Sequence, residues 1–504
     1  MIASGRDYHR HTSYDRDRMG GHTLDWSDQP GVFKIYPELK AFPLPPAARL
    51  PEVPLSTVIS AARGEKAPAW ISLEQLSQVL DLAYSLTARS VHPGGEFFYR
   101  SVPSAGALYP CELYVGTRSV RGLEDGLYHY AIGRQALMQL RCGNCLETKD
   151  TGPQQKESEQ ISLLMFFITA IFFRSAWKYR ARSYRYHLLD SGHLMESLVL
   201  ALKALDLTHE VNLHFEDKDV NALLGCDTER EVCLAMVSAG CKGASLRTQR
   251  NVASALPQSV HSASRVAHRE IAYPEIQEVH LASSRLAVPE GTPQAMILKA
   301  GRLPGSWQHV SPCGVWPEKM SFREAVVRRR SRRNFVRKSI SEEVFQAFLG
   351  LLCSADDASG RSAQLQDQSI AVGFLAENVD GLSPGHYWID TASHSVGLTA
   401  SGDLNSRMAT ICLDQEWLAQ ANLHFFFAAN LDLLEESWGP RGYRYAMLAA
   451  GRLGHRIYLS ATSFGLGCCG IGAFYDSEAA VLLELSEASA MLYLVAVGPV
   501  KKPA

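Results

Sequence analysis

Tyr184-Arg-Tyr-His-Leu-Leu-Asp-Ser-Gly192 has a second copy in Tyr443-Arg-Tyr-Ala-Met-Leu-Ala-Ala-Gly451, at an offset of 259 (443 − 184). The same offset carries Gly126-Leu-Tyr-His-Tyr130 onto Gly385-His-Tyr-Trp-Ile389, Phe215 onto Phe474 and Asp217 onto Asp476. Upstream, the helical pattern from Ile71 matches that from Ile340 at 269 (340 − 71). The difference of ten (269 − 259) predicts ten extra residues in the first half, between that helix and the next strand. Self-similarity on this scale marks an internal duplication of one α+β unit. A duplicated unit predicts a pseudo-symmetric pair, the single-chain counterpart of a two-fold homodimer, with sites at the interface.

Working outward, Ser72 with Gln75 three residues on fits a capping box. Leu73, Leu76, Val79, Leu80, Ala83 and Leu86 then form one apolar helical face. Ile161 to Phe173 is apolar, but shorter than the roughly 20 residues of a membrane span, so a buried strand is predicted there. A long helix is predicted from near Tyr184. Residues 1–50 are polar, rich in His, Arg and Asp, and lack apolar periodicity, as in an extended arm. The domain reading is therefore an arm (1–50), a first domain (51–242), a linker rich in Ser, Ala, Gln, Pro and His (243–318) and a second domain (319–504).

With 46% hydrophobic and 20% charged residues and a net charge of −2, the chain has the composition of a soluble protein. Nothing in that balance points to nucleic acid or an anionic membrane as a partner. Eleven irregularly spaced cysteines and no apolar signal region point to reduced thiols and a cytoplasmic location. Cys142-x-x-Cys145 has no second pair, so no metal is expected. No P-loop or dinucleotide fingerprint is present. Cys468-Cys469 reads as packing, and Asp190, His193 and Glu196 as a satisfied interior network.

The two copies differ where a ligand would matter. Only the first half has Pro103-Ser-Ala-Gly-Ala-Leu-Tyr-Pro110, whose small residues allow close approach to a flat ligand. Its prolines remove two donors, leaving the other N–H groups available to that ligand. Taken alone, the stretch is equally a tight turn before a strand. Only the second half has Arg328-Arg-Arg-Ser-Arg-Arg-Asn-Phe335, five arginines in eight residues that suit a phosphate or a solvated basic surface. Only the second half has Gly465-Leu-Gly-Cys-Cys-Gly-Ile-Gly472; the aligned segment from Asp206 to Asp217 contains no glycine. Lys178-Tyr179 aligns with Ser437-Trp438, so that pair is also confined to one half.

These features together resemble the nitroreductase superfamily of flavoproteins, and within it a tandem-domain member of the SagB-type dehydrogenase (azoline oxidase-like) group. Pro103–Pro110 is similar to that group's flavin-contacting loop, and Arg329-Arg-Ser-x-Arg-x-Phe335 to the family's N-terminal FMN motif. The resemblance implies an α+β fold of two domains, each a mostly antiparallel central sheet flanked by helices, paired within the chain. It implies one FMN across the interface. Arg329, Arg330 and Ser331 would hold the phosphate, closed over by Lys501 or Lys502, and Arg333 would face the N1–C2=O edge. Pro103, Ser104, Ala105, Gly106 and Leu108 would reach the ring from one side, and Gly470, Ile471 and Gly472 from the other.

Lys178 and Tyr179 resemble the pair that assists proton removal in azoline oxidases while FMN accepts a hydride. Arg180, Arg182 and Arg185 would either act on Lys178 as neighbouring like charges or be solvated. The implied activity is FMN-dependent oxidoreduction of a small-molecule or modified-peptide substrate, such as azoline-to-azole dehydrogenation. An NAD(P)H-driven nitro- or quinone-reductase, and a non-catalytic scaffold subunit of a peptide-modifying complex, are the alternatives. Further homo-oligomerisation stays open.

Overall fold

The computed structural model describes residues 2–46, 50, 52–60, 70–92, 95–148, 162–240, 246–248, 256–286, 295–310, 316, 319–353 and 368–501. Two seven-stranded sheets form the frame. The first uses β1 (Ala41–Pro43), β2 (Cys111–Arg118), β3 (Gly126–Ala131), β4 (Ala136–Cys142), β5 (Leu163–Ile171), β6 (Thr208–Asn212) and β7 (Glu231–Gly240). Their order is β1-β4-β3-β2-β5-β7-β6. The second uses β8 (Gln308–His309), β9 (Ala371–Ala376), β10 (Gly385–Asp390), β11 (Ser395–Ser401), β12 (Leu423–Asn430), β13 (Gly467–Ile471) and β14 (Ser489–Gly498). Their order, β8-β11-β10-β9-β12-β14-β13, is the same with every number advanced by seven. All these pairings are antiparallel.

The helices follow the same rule. Five that recur are, in the first half, α1 (Gly5–His11), α2 (Leu55–Ser60), α3 (Leu73–Ala83), α4 (Phe172–Tyr179) and α5 (Ser183–Ala204). Their counterparts are α6 (Pro274–Ser283), α7 (Phe322–Arg328), α8 (Glu342–Cys353), α9 (Leu431–Trp438) and α10 (Gly442–Ser463). The capping box of α3 forms as expected, with Ser72 Oγ accepting from Gln75 N–H and the Gln75 side chain accepting from Ser72 N–H. The predicted buried strand ends at Ile171, because Phe172 and Phe173 already belong to α4. The ten extra residues of the first half lie in an interval that holds a hairpin, Leu86–His92 paired with Gly95–Arg100.

The arm and linker are more than extended chain. Each contributes an edge strand (β1 or β8) and a helix (α1 or α6) that mirror one another, so the duplication reaches further upstream than the sequence match. The signal was faint because these segments bury only one or two side chains per turn. They are held instead by polar contacts such as the buried Lys34–Glu231 ion pair.

The halves meet along α5 and α10, whose crossing point is Gly192 against Gly451. A Cβ on Gly192 would lie 2.3 Å from the Leu448 carbonyl oxygen, and one on Gly451 would lie 2.3 Å from that of Leu189. Because the obstructing atoms are backbone, no rotamer change relieves either clash. Gly192→Ala is expected to lower stability by about 1–3 kcal/mol through overpacking, seen as a lower denaturant midpoint. Gly451→Ala should match it.

Around this crossing lie two buried charge clusters that also mirror each other. Asp476 accepts from Arg182 (2.7 Å) and Arg185 (2.6 Å), with His9 of α1 at 3.4 Å. Asp217 is held by Arg441 and Arg444, with His280 of α6 at 3.6 Å. Each acid is bound by arginines of the opposite half.

Candidate flavin site between the halves

Residues 103–110 form a tight turn rather than an open cradle. Gly106 (φ 62°), Ala107 (φ 53°) and Tyr109 (φ 48°) are all left-handed. The expectation that the loop's N–H groups stay free for a ligand is not met at four positions. Ala105 N–H donates to Asp190 Oδ1 (3.2 Å) and Tyr109 N–H to Ser104 Oγ (2.9 Å). Ala107 and Leu108 donate within the turn, to the Ser104 and Ala105 carbonyls. Turning the chain this sharply brings its own acceptors into range of its donors.

Gly106 is the point of closest approach, since a Cβ there would lie 2.7 Å from the Tyr179 hydroxyl. Tyr179 stacks at a tilt on Tyr186 of α5, with centroids 4.5 Å apart. The Tyr186 hydroxyl donates to the Gly472 carbonyl (3.1 Å), and a Cβ on Gly472 would meet the Tyr186 ring at 2.4 Å. Gly106, Tyr179, Tyr186 and Gly472 therefore form a continuous path from one half to the other. Those two tyrosines link the segments expected to face each other. Gly470 likewise makes room for Tyr493, and its N–H donates to Tyr458 Oη (2.6 Å). Ile471 is buried in β13, and Leu108 is half-buried beside Gly106.

Lys178 and Tyr179 end α4, and the Lys178 ammonium lies 5.4 Å from the Tyr179 ring centroid. Burial first, and then the charge of Asp190, push the Tyr179 phenol well up, with Arg333 pulling the other way. The phenol thus keeps its proton near neutral pH. Arg182 and Arg185 are neither solvated nor free to act on Lys178: Asp476 takes up both. Arg180, which is exposed, has φ 53° and ψ −141°, a conformation held in the second half by Gly439 (φ 61°, ψ −164°). An arginine there is strained, and it follows directly on the candidate catalytic pair.

The arginine segment divides by parity. Ser331 bridges Cys468 in extended pairing, so neighbouring side chains leave on opposite sides. On the interface side, Ser331 Oγ meets Tyr458 Oη (3.0 Å), and the Arg333 guanidinium lies 5.9 Å from the Trp417 ring. Arg329 is wholly buried and donates to the carbonyls of Ser101 (2.8 Å) and Arg100 (2.9 Å), just ahead of the loop. It ties the second half to the first-half loop, whereas Arg330 donates to the carbonyls of Val327 (2.9 Å) and Arg329 (2.6 Å). Arg330 also lines a cleft of about 860 Å³ with Arg328, Arg332, Lys338 and Lys501, and none of the described residues lining it is acidic. Lys502 lies outside the described residues. Arg332 and Lys338 were legible as basic residues, but only the strand's alternation shows which of them share a side.

Asp190 was read as part of an interior network, and for Glu196 that reading stands, since Glu196 bonds Arg452 (2.7 Å) and Arg456 (2.6 Å). Asp190 instead accepts from Ser104 Oγ (2.6 Å) and Ala105 N–H in the loop. Its signal in the sequence was the mismatch with Ala449 at the mirrored position.

Residues 66–241 and 326–499 each match the Nitroreductase family. The chain belongs to that family. Within the wider set of similar proteins, a crystal structure from Anabaena variabilis, assigned to the nitroreductases, superposes over 99% of this chain and 100% of its own with a TM-score of 0.74. At 23% identity that likeness speaks for the tandem nitroreductase fold. Trifolitoxin-processing protein TfxB of Rhizobium leguminosarum bv. trifolii is 28% identical over 44% of this chain and 61% of its own length. Microcin B17-processing protein McbC of Escherichia coli is 27% identical over 31% of this chain and 57% of its own. The nitroreductase chain thus spans about three fifths of the length of these two relatives. Among its described residues, no helix is long and apolar enough to cross a membrane.

The residues fit FMN, the cofactor expected from the sequence, at one end more fully than the other. The basic cleft suits a phosphate, and the left-handed Gly106 suits close approach of a ring. Gly470 and Gly472 are already filled on one face by tyrosines.

Proposed function

We propose that this nitroreductase is an FMN-dependent oxidoreductase of the SagB type, moving a hydride between flavin and a small or peptide-derived substrate. Azoline-to-azole dehydrogenation is the favoured reaction. The observation that carries this reading is Tyr179 seated against Gly106 of the loop, with Lys178 beside it. The mirrored Ser437-Trp438 offers no such chemistry, and Trp438 is buried. The peptide-processing relatives support a peptide-derived substrate.

When bound, FMN supplies the electron sink that takes the hydride. Arg330, Arg332 and Lys501 would hold its phosphate from the basic cleft, and on the interface side Arg333 would face its ring edge beside Ser331. Converting an azoline to an azole removes one hydride and one proton. Lys178, acting as its neutral amine, takes the proton and becomes the ammonium, and Tyr179, protonated at Oη, orients the ring against the Gly106 turn. The tyrosines packed around it keep water from the reacting carbon.

The purified chain should be yellow, with one FMN per chain. The triple variant Arg330→Ala, Arg332→Ala, Lys501→Ala should weaken flavin binding by ~10²-fold or more, given the usual strength of charge-assisted hydrogen bonds, as titrated by quenching of flavin fluorescence. Bleaching of the flavin by an azoline-containing peptide and not by NAD(P)H supports the dehydrogenase; the reverse supports a reductase. A colourless chain that takes up no FMN would sink both.

A further inference from the structure

Asp190 is buried in the middle of α5, only 5% exposed, and no cation bonds to it among the described residues. Its carboxyl group pairs with Ser104 Oγ through Oδ2 and accepts from Ala105 N–H through Oδ1, and Ser104 Oγ accepts from Tyr109 N–H; when protonated, Oδ2 donates to Ser104 Oγ instead. These three bonds staple the turn in which Ala107 and Tyr109 are left-handed. Such residues are strained and persist only where the surroundings over-determine them. At the mirrored position α10 carries Ala449, and the second half has no such loop.

We infer that Asp190 is a positioning residue, a latch that holds residues 103–110 in their left-handed turn and lets them open when it is released. Burial lifts its pKa to about 7, with the bonds from Ser104 and Ala105 pulling it partly back. The ionisable groups whose environment its charge reaches are the Cys111 thiol of β2, the Tyr179 phenol of α4 and the Tyr493 phenol of β14. All three are pushed up by burial and stay neutral near pH 7. Arg100 and Arg333 stand one step further out, beside Cys111 and Tyr179. In an opened loop the carboxyl meets water and titrates near ~4. The closed turn therefore holds a proton that the open one releases. Its latch is complete below about pH 4 and is lost as pH rises to about 7, where further loosening stops.

The inference rests on reading this loop as a wall of the candidate site, but its test needs neither flavin nor substrate. Amide hydrogen exchange of peptides covering 101–110 is followed from pH 4.5 to 8, corrected for intrinsic rates and referred to β5 in the same chain. The opening constant of the loop should rise by up to ~10-fold per pH unit below pH 7 and flatten above it. Asp190→Asn should abolish that slope. Asp190→Ala should raise exchange at every pH, also without slope; α10 carries alanine at the mirrored position. A wild-type loop with no pH dependence, or a slope surviving in Asp190→Asn, overturns the inference. If Asp190→Ala fails to fold, the wild-type and Asp190→Asn profiles still decide. Loss of flavin binding with the latch intact would count against the site, not against Asp190.

Discussion

Replacing Asp476 with alanine is expected to cost about 3–5 kcal/mol, the effect of leaving buried charges without their partner. Arg182 and Arg185 are each almost fully enclosed and reach Asp476 through separate oxygens. Removing the carboxylate leaves two guanidinium groups in low dielectric, with neutral acceptors on His9, Thr12, Ser13 and Gly472 as their remaining partners among the described residues. Asp217→Ala should behave alike, because Arg441 and Arg444 repeat the arrangement. Thermal or denaturant unfolding measures both, and a loss below about 1 kcal/mol, the scale of an exposed ion pair, would refute the clamp.

The clamp also sets a pH dependence. Burial opposes ionisation of Asp476, but Arg182 and Arg185 outweigh it and hold its pKa well down. Its stabilisation is complete above the unfolded value near ~3.9 and disappears as pH falls through the lower folded value. His9 acts earlier. Burial, and next Arg185, lower its pKa from 6.5 to about 4. The folded chain then carries fewer protons than the unfolded one, so stability declines as pH falls from 6.5 toward 4. Acid sensitivity should accordingly begin in the histidine range, before the carboxylates titrate.

Lys178→Ala is expected to retain the flavin spectrum and lose ~10²–10⁴-fold in turnover, the usual worth of a positioned acid or base. The loss should fall on kcat, with KM little changed, because the lysine is asked to act on the proton in flight rather than on binding. Tyr179→Phe should lose less at the chemical step, since the ring still packs on Tyr186. Turnover is measured on whichever donor bleaches the flavin. A Lys178→Ala enzyme that runs at the parental rate removes the pair from the mechanism.

The tandem fold was legible because a 22-residue helix with Tyr-x-Tyr near its start and a glycine at the crossing repeats without a gap in register. The domain edges were harder. α1 and α6 are short and polar, and their equivalence appears only when His9 and His280 are seen against Asp476 and Asp217. In the candidate site, types of residue were readable and directions were not. Arg329 and Arg330 are neighbours in sequence, yet an extended backbone sends one to the Ser101 carbonyl and the other to a cleft. Ser104 was expected beside the ring, but its hydroxyl faces Asp190.

The crossed clamp bears on how the chain is made. His9 is synthesised 467 residues ahead of Asp476, which it must meet (476 − 9). At ordinary elongation speeds that interval is roughly 20–90 s. During it, Arg182 and Arg185 wait without their acid, and Asp217 without its arginines. The first half cannot close either clamp as it emerges, because both wait for the second half's Arg441, Arg444 and Asp476.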